Sequence, residues 1–269
     1  MSHTPTLPPS MKDRLAEGEP LIGGWVASGS TVAAEIMAGS GLDWVLIDGE
    51  HGPNDLGAIL AQLQAAAAYP AVAAVRVPVN DAAIIKQVLD LGAQTIVVPM
   101  VHDADDARAA VAAAGYPQTG GQGALAEGEV LGLRGVGSAL ARSARWGAIP
   151  GYLLNASDHI SVIVQIESGR AVENVEEIMA VPGVAGVFVG PSDLAASMRH
   201  LGKQDHEEVT AAVDAVIEAG TKAGVPVGVN AFDPTLARRY LDAGARFVNV
   251  CADVSLMAAG ARAAAERLG

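Results

Sequence analysis

Short apolar segments rich in β-branched residues alternate along the chain with Ala-rich segments of helical period. The apolar segments are hydrophobic at successive positions, which is typical of parallel strands buried on both faces. They lie at residues 21–27, 43–48, 71–77, 95–99, 161–167, 185–189, 225–230 and 246–251. The helical segments lie at residues 31–38, 54–68, 81–91, 103–114, 170–179, 207–223, 234–243 and 254–268. This alternation predicts an α/β fold with a parallel sheet.

The number of these units predicts the architecture. About eight strand–helix units in a chain of 269 residues fit a single-domain (β/α)8 TIM barrel. A doubly wound open sheet is the alternative. Polar residues follow several different strands, which favours the barrel because its strand ends converge on one face. Residues 1–20 are predicted to be an N-terminal extension and residues 21–269 the barrel domain.

Charge and cysteine content limit the partners and the compartment. The chain carries 17 Lys and Arg against 30 Asp and Glu, a formal net charge of −13. An acidic chain is a poor ligand for nucleic acid or for an anionic membrane surface. We find no apolar run of the ~20 residues that a membrane span needs, and no secretory signal in residues 1–19. The single cysteine, Cys251, excludes an intrachain disulfide and favours a reducing, cytoplasmic location.

One connection is too long for a simple loop between a helix and a strand. It spans residues 116–160 and contains a Gly-rich stretch at 118–132. Residues 134–146, RGVGSALARSARW, are predicted to bear a helix and to serve packing or subunit contact.

Two carboxylates follow neighbouring predicted strands. Glu167 ends the fifth strand, and Asp193 follows the sixth in the sequence Gly-Pro-Ser-Asp. Two carboxylates completed by water suit Mg²⁺ or Mn²⁺. The alternatives are a helix cap for Asp193 and a salt bridge at the barrel rim for Glu167.

A histidine follows the second strand, and an arginine lies near the end of the third. His51, in Asp-Gly-Glu-His, can serve as a general base near neutral pH, or it is an ordinary loop histidine. Arg76 stands in an otherwise apolar strand and requires a partner. It either forms an ion pair with Glu50 or Asp48 or faces a substrate oxyanion, and these two interpretations are compatible.

The sequence gives little support for other catalytic mechanisms. None of the four lysines falls within a predicted strand, which argues against a Schiff-base mechanism. There is no GxSxG, GxGxxG or GxxxxGK[ST] motif. Cys251 is predicted to be a small strand residue rather than a nucleophile. A divalent metal with a base and an arginine instead suits metal-dependent aldol chemistry on a 2-oxo acid.

Several ordered motifs carry a resemblance to a known family. They are LIDGEHGP at 46–53, VRVP at 75–78, LDLGAQTIVVPMV at 89–101, RGVGSALARSARW at 134–146, QIES at 165–168 and VGPSDLAASM at 189–198. From about residue 23 to the C-terminus the chain resembles the HpcH/HpaI aldolases, and within them the 4-hydroxy-2-oxoheptanedioate aldolase branch.

The resemblance implies a class II aldolase that uses the enolate of pyruvate or hydroxypyruvate as nucleophile and an aldehyde as acceptor. It implies a divalent metal, Mg²⁺, Mn²⁺ or Co²⁺. The implied roles are metal binding by Glu167 and Asp193, catalysis by His51 and Arg76, and substrate binding by Gln165, Ser192 and Asp193.

The resemblance also implies that Asp90 raises the basicity of the histidine. Asp90 lies near the end of a helix that runs away from the strand ends, and about ten residues of helix span roughly 15 Å. We therefore expect Asp90 to serve a neighbouring subunit or to act indirectly, with Asp48 as the competing local partner of His51. The family further implies a homohexamer in which the last helix is exchanged between protomers.

The sequence departs from the family pattern in two places. Extra Gly-rich residues separate Tyr116-Pro117 from Arg134, and Arg199 and His200 stand where the family more often has a glycine and a bulky residue. Two other functions remain open. One is a CoA-thioester lyase of the citrate lyase β or malyl-CoA type, and the other is a non-catalytic barrel that binds a small acid.

Overall fold

Eight parallel strands close into a barrel, and their spatial order follows the sequence from β1 to β8. The computed structural model describes residues 5–117 and 131–267. The strands are β1 (Leu21–Val26), β2 (Trp44–Asp48), β3 (Val72–Arg76), β4 (Thr95–Val98), β5 (Ser161–Ile166), β6 (Val184–Val189), β7 (Val227–Asn230) and β8 (Phe247–Ala252). The predicted single-domain (β/α)8 barrel is confirmed, and the doubly wound sheet is wrong. Each predicted strand overlaps an observed one, and no end is displaced by more than two residues.

Helices connect the strands and surround the barrel. They are α1 (Met11–Ala16), α2 (Thr31–Ala38), α3 (Leu56–Ala66), α4 (Ala82–Asp90), α5 (Ala104–Ala114), α6 (Tyr152–His159), α7 (Gly169–Glu173), α8 (Val175–Met179), α9 (Pro191–Ser197), α10 (Glu207–Ala223), α11 (Pro234–Asp242) and α12 (Asp253–Glu266). None of these helices is long and apolar enough to cross a membrane.

Two segments differ from the helices expected from sequence. The predicted helix at 170–179 is broken into α7 and α8 at Asn174, whose side chain donates to the carbonyl of His102 (3.0 Å) instead of facing solvent. In the segment 134–146 the chain forms two 3₁₀ turns, Val136–Leu140 and Arg142–Ala144. Left-handed backbone at Arg145 and Trp146 ends the second turn. Residues 118–130 of the Gly-rich stretch, and Leu268 at the end of the last predicted helix, lie outside the described residues.

The two-residue period of the strands brings polar side chains to the carboxyl-terminal mouth of the barrel. Trp44 and Leu46 of β2 lie in the interior cluster, so Asp48 also points inward at the mouth. Val72 and Ala74 of β3 likewise precede Arg76. Asp48 and Arg76 are paired in register across β2 and β3.

The N-terminal helix closes the other end of the barrel. Met11 and Leu15 are buried in the interior cluster. The backbone N–H of Met11 donates to Thr95 Oγ1 (3.0 Å), and that of Lys12 donates to Ser161 Oγ (3.0 Å). The boundary between an extension at 1–20 and a barrel domain stays a prediction.

Candidate active site

Arg76 is held at the barrel mouth by two carboxylates. Its Nε and Nη2 donate to the two oxygens of Asp48 at 2.9 and 2.8 Å, and its Nη1 lies 3.0 Å from Glu50 Oε2. Both Arg76 and Asp48 are about 95% buried, at 5% and 4% exposure. The predicted ion pair is therefore present with both partners. Such a fork-like pairing fixes the guanidinium plane more tightly than a single contact.

Trp25 also contacts the Arg76 guanidinium. The Arg76 guanidinium carbon lies 4.3 Å from the centre of the Trp25 ring, a cation–π contact. The indole Nε1 donates to Asn230 Oδ1 at 2.7 Å. Residues at the ends of β1, β2 and β7 thus fix the cation at the end of β3. The sequence analysis did not predict the contact between Trp25 and Arg76.

The turn after β2 carries His51. Asp48 Oδ1 accepts the backbone N–H groups of Glu50 and His51 at 3.1 and 3.2 Å, which orders the turn. The His51 side chain is 65% exposed, and its Nε2 lies 3.9 Å from Glu50 Oε1. Asp48 therefore contacts the His51 backbone, and Glu50 is the carboxylate beside the ring. Burial raises the pKa of Glu50, and the positive Arg76 opposes that rise.

Glu167 follows β5 and is 3% exposed. Its Oε1 accepts the backbone N–H of Met100 at 2.7 Å, and its Oε2 accepts from the Gln165 side-chain amide. Burial raises the pKa of Glu167 to about 7. The Met100 hydrogen bond opposes this rise, and the negative charges of Asp193 and Glu50 add to it.

Met100 is a residue that the sequence analysis missed. Its φ of 55° lies in the left-handed region, which a non-glycine residue rarely adopts. This conformation occurs where the Met100 N–H reaches Glu167. The segment VVPM carries no sequence signal for such a backbone.

Asp193 and Ser192 lie in the first turn of α9 and are exposed to solvent. Ser192 Oγ donates to Gln204 Oε1 at 2.9 Å. Because Gly190 has no side chain, the backbone before this turn lies close to the side chains at the end of β5. A Cβ at residue 190 would lie 2.9 Å from Gln165 Nε2 and 3.1 Å from Glu167 Oε2.

A divalent cation suits this arrangement. The buried carboxylate of Glu167 lies near the negative charges of Asp193 and Glu50, so nearby positive charge does not fully compensate its ionised form. Gln165 Oε1 is also buried with no hydrogen-bond partner among the described residues. Glu167 and Asp193 would supply two oxygen ligands, and no third His, Cys, Asp or Glu in the described ranges completes a tight three-residue cluster with them. Water and substrate oxygens would complete the shell.

Asp90 lies apart from these groups. It is the last residue of α4, and its Oδ1 accepts from Arg134 Nη2 at 2.7 Å. The Arg134 side chain is fully buried, and its guanidinium carbon lies 4.3 Å from the centre of the Tyr116 ring. None of the contacts described for Asp90 involves His51.

Alternative nucleophiles are poorly placed. Desolvation raises the pKa of Cys251, so its thiol is protonated at neutral pH. Lys12 donates to a backbone carbonyl beside the N-terminal helix, and Lys222 pairs with Glu176 on the surface.

Comparisons with known proteins identify the family of this chain. The family model described as HpcH/HpaI aldolase/citrate lyase matches residues 21–259. A relative from Salmonella dublin, named 4-hydroxy-2-oxo-heptane-1,7-dioate aldolase, is 47% identical over 260 residues, which cover 97% of this chain and 94% of the relative.

Two solved structures are similar over the whole fold. An HpcH/HpaI aldolase/citrate lyase family protein from Burkholderia cenocepacia J2315 has a TM-score of 0.88 at 43% identity, covering 96% of this chain and 98% of that one. An HpcH/HpaI aldolase from Desulfitobacterium hafniense DCB-2 has a TM-score of 0.84 at 26% identity, covering 96% of each chain.

Proposed function

Because this chain belongs to the HpcH/HpaI aldolase/citrate lyase family, we propose that it catalyses the metal-dependent aldol cleavage and formation of 4-hydroxy-2-oxo acids. The nucleophile is the enolate of pyruvate or hydroxypyruvate, and the acceptor is an aldehyde. The observation that carries the proposal is a buried carboxylate, Glu167, that shares one barrel mouth with a fixed arginine, Arg76.

Glu167 and Asp193 are the proposed ligands of a divalent metal, Mg²⁺, Mn²⁺ or Co²⁺. When bound, the metal supplies Lewis-acid polarisation of the 2-oxo acid and lowers the pKa of the C–H beside the keto group. Gln165 and Ser192 are proposed to orient the 2-oxo acid. The free Oε1 of Gln165, buried without a partner in the described ranges, supports that role.

Arg76 is proposed to stabilise the negative charge that develops on the enolate oxygen. Its guanidinium is fixed before substrate arrives by Asp48, Glu50 and Trp25. A preorganised cation stabilises a developing oxyanion without reorganising during the reaction. The exposed His51 ring is proposed to accept the proton from the carbon that becomes the nucleophile, and to return it in the reverse direction.

We propose that Asp90 of one subunit raises the basicity of His51 in the site of a neighbouring subunit. Its partner Arg134 begins a segment whose Val136, Leu140 and Trp146 side chains are exposed. Exposed apolar side chains of this size favour a subunit contact.

The last helix supports a homohexamer with helix exchange. In α12, residues 254–266 are all exposed, and only Asp253 is buried. Leu256 and Met257 leave an apolar face open, and Val32 and Ile36 of α2 are also exposed. A helix with no buried face gains little by folding alone, so a second copy of the chain would cover it.

The substrates are proposed to be small acids and aldehydes rather than nucleic acid or membrane. The net charge of −13 and the name of the Salmonella dublin relative support this assignment. A cytoplasmic location is proposed on the single cysteine.

Exchange of the pyruvate methyl protons with deuterium, followed by NMR, tests the proposal. Exchange should require added metal and should be lost in His51→Ala, while the control His159→Ala, outside the site, should retain it. Binding of pyruvate without exchange would support a non-catalytic barrel instead. Tight binding of CoA would support the thioester lyase.

A further inference from the structure

A second group of metal-binding side chains lies in the connection between α9 and α10. It consists of His200, His206 and Glu208, and each residue offers one ligand atom within 4.8 Å of the others. Within residues 5–117 and 131–267 it is the one cluster of three His, Cys, Asp or Glu residues with such close ligand atoms. It is separate from Glu167 and Asp193.

The backbone of this connection brings the two histidines together. The N–H of His200 donates to the carbonyl of Ala195 (2.7 Å), the N–H of Lys203 to that of His200 (2.8 Å), and the N–H of His206 to that of Lys203 (3.0 Å). Arg199 has a left-handed φ of 66°, which turns the chain directly before His200. The connection is therefore an ordered turn, and the three side chains are held near one another before any ion arrives.

The donor atoms are suited to a borderline transition metal. His200 Nε2 lies 3.0 Å from Glu208 Oε2, close to the separation of two ligands on one ion. Two imidazoles and a carboxylate are typical ligands of Zn²⁺, whereas Mg²⁺ prefers oxygen ligands alone.

One ring has to turn for all three residues to bind the same ion. The His200 and His206 rings stack with centroids 3.7 Å apart and planes 17° from parallel, so their lone pairs do not converge. Little holds the His206 ring, because its one hydrogen bond to the described part of the chain is the 3.3 Å cap that Nδ1 accepts from the N–H of Glu208. A turn of this ring breaks one long cap bond and unstacks the pair.

We propose that His200, His206 and Glu208 bind Zn²⁺ or a similar borderline divalent cation, with water as the fourth ligand. The site is distinct from the one formed by Glu167 and Asp193. Gln204 in the same connection accepts from Ser192, a proposed substrate-binding residue. Zinc bound here restrains the connection that contacts Ser192, and this consequence rests on the proposed function.

The test counts zinc on the full-length protein, stripped of metal and dialysed against zinc with excess Mg²⁺. His206→Asn is the main variant because Asn is a good helix N-cap and preserves the start of α10. It should bind one zinc ion per chain fewer than wild type, and His200→Gln should show the same loss. His159→Asn, a histidine on α6 outside the cluster, should bind as much as wild type. Equal zinc content in wild type and His206→Asn would overturn the proposal, as would an equal loss in His159→Asn.

Cobalt provides a second readout. Wild type loaded with Co²⁺ should show the intense visible absorption of a four-coordinate ion with nitrogen ligands, and His206→Asn should lose it. Glu167→Gln should keep this band, because the two sites are separate. If Glu167→Gln binds as much metal as wild type while His206→Asn still loses one ion, the proposed catalytic site fails and the zinc site stands. A band absent from wild type would overturn the zinc site.

Discussion

Replacing Glu167 with Gln is expected to stabilise the metal-free protein while abolishing its activity. Burial raises the pKa of Glu167 to about 7, from an ordinary value of 4.5. One pKa unit corresponds to about 1.4 kcal/mol, so ionised Glu167 lowers the free energy of unfolding by about 3 kcal/mol. Gln has nearly the same shape and no charge, and the variant should recover that free energy.

The hydrogen bonds around residue 167 can be kept in the variant. The Met100 N–H can donate to the new amide oxygen as it now donates to Glu167 Oε1. The Gln165 amide now donates to Glu167, and turning it over would present its Oε1 to the new amide group. The variant therefore loses the charge without adding to the number of unsatisfied groups, because the Gln165 Nε2 takes the place of the Oε1 that has no partner among the described residues.

The pH dependence has a definite sign. Below pH 4.5 the Glu167 carboxyl is protonated in the folded and the unfolded chain, so wild type and variant should be about equally stable. The wild type loses free energy of unfolding progressively as the pH rises from about 4.5 to about 7, and the difference from the variant should level off at about 3 kcal/mol by pH 8.

Urea unfolding in EDTA from pH 5 to pH 8, at one protein concentration, measures the difference. Glu177→Gln is the control, because it removes an exposed acid on α8 and should show no such trend. The reasoning is refuted if Glu167→Gln is no more stable than wild type at pH 8.

Three further substitutions test the rest of the site. Gly190→Ala should weaken Mn²⁺ binding at least about tenfold by calorimetry, because its Cβ would crowd Gln165 and Glu167. The control Gly137→Ala, which has open space around it, should bind Mn²⁺ as wild type does. Equal Mn²⁺ affinity of Gly190→Ala and wild type would contradict the role of Gly190. Arg76→Lys should lower the free energy of unfolding by about 1–3 kcal/mol, because one ammonium cannot replace the two-point contact with buried Asp48; urea unfolding checks this, and an unchanged midpoint would contradict it. Trp25→Phe should reduce kcat/KM for aldol cleavage less than Trp25→Leu, because Phe keeps a ring beneath the guanidinium; equal losses would show that the ring face does not matter.

Much of the site was predictable because the strand period dictates it. Asp48 and Arg76 follow inward-facing residues on neighbouring strands, so their meeting at the mouth follows from alternation. Glu167 lies two residues after Gln165, directly beyond the end of β5, and its inward direction follows in the same way. The helix N-caps formed by Asp were also predictable, because a capping side chain contacts only the first turn of the helix that follows it.

The remaining features depend on tertiary contacts. The left-handed backbone of Met100 occurs where its N–H meets Glu167, a residue 67 positions later. The break at Asn174 accompanies a hydrogen bond to the carbonyl of His102, which the helical period cannot reveal. The burial of Arg134 between Asp90 and Tyr116 likewise joins segments far apart in the chain. Local pattern and propensity contain no information about such partners.

The central claim is that Glu167 and Asp193 hold a divalent metal required for aldol chemistry. The most direct measurement is pyruvate release from 4-hydroxy-2-oxoheptanedioate by protein stripped of metal and then reloaded with Mg²⁺, Mn²⁺ or Co²⁺. Stripped protein should be inactive and reloaded protein active, and reloading should fail to rescue Glu167→Gln. Full activity after complete metal removal would contradict the claim.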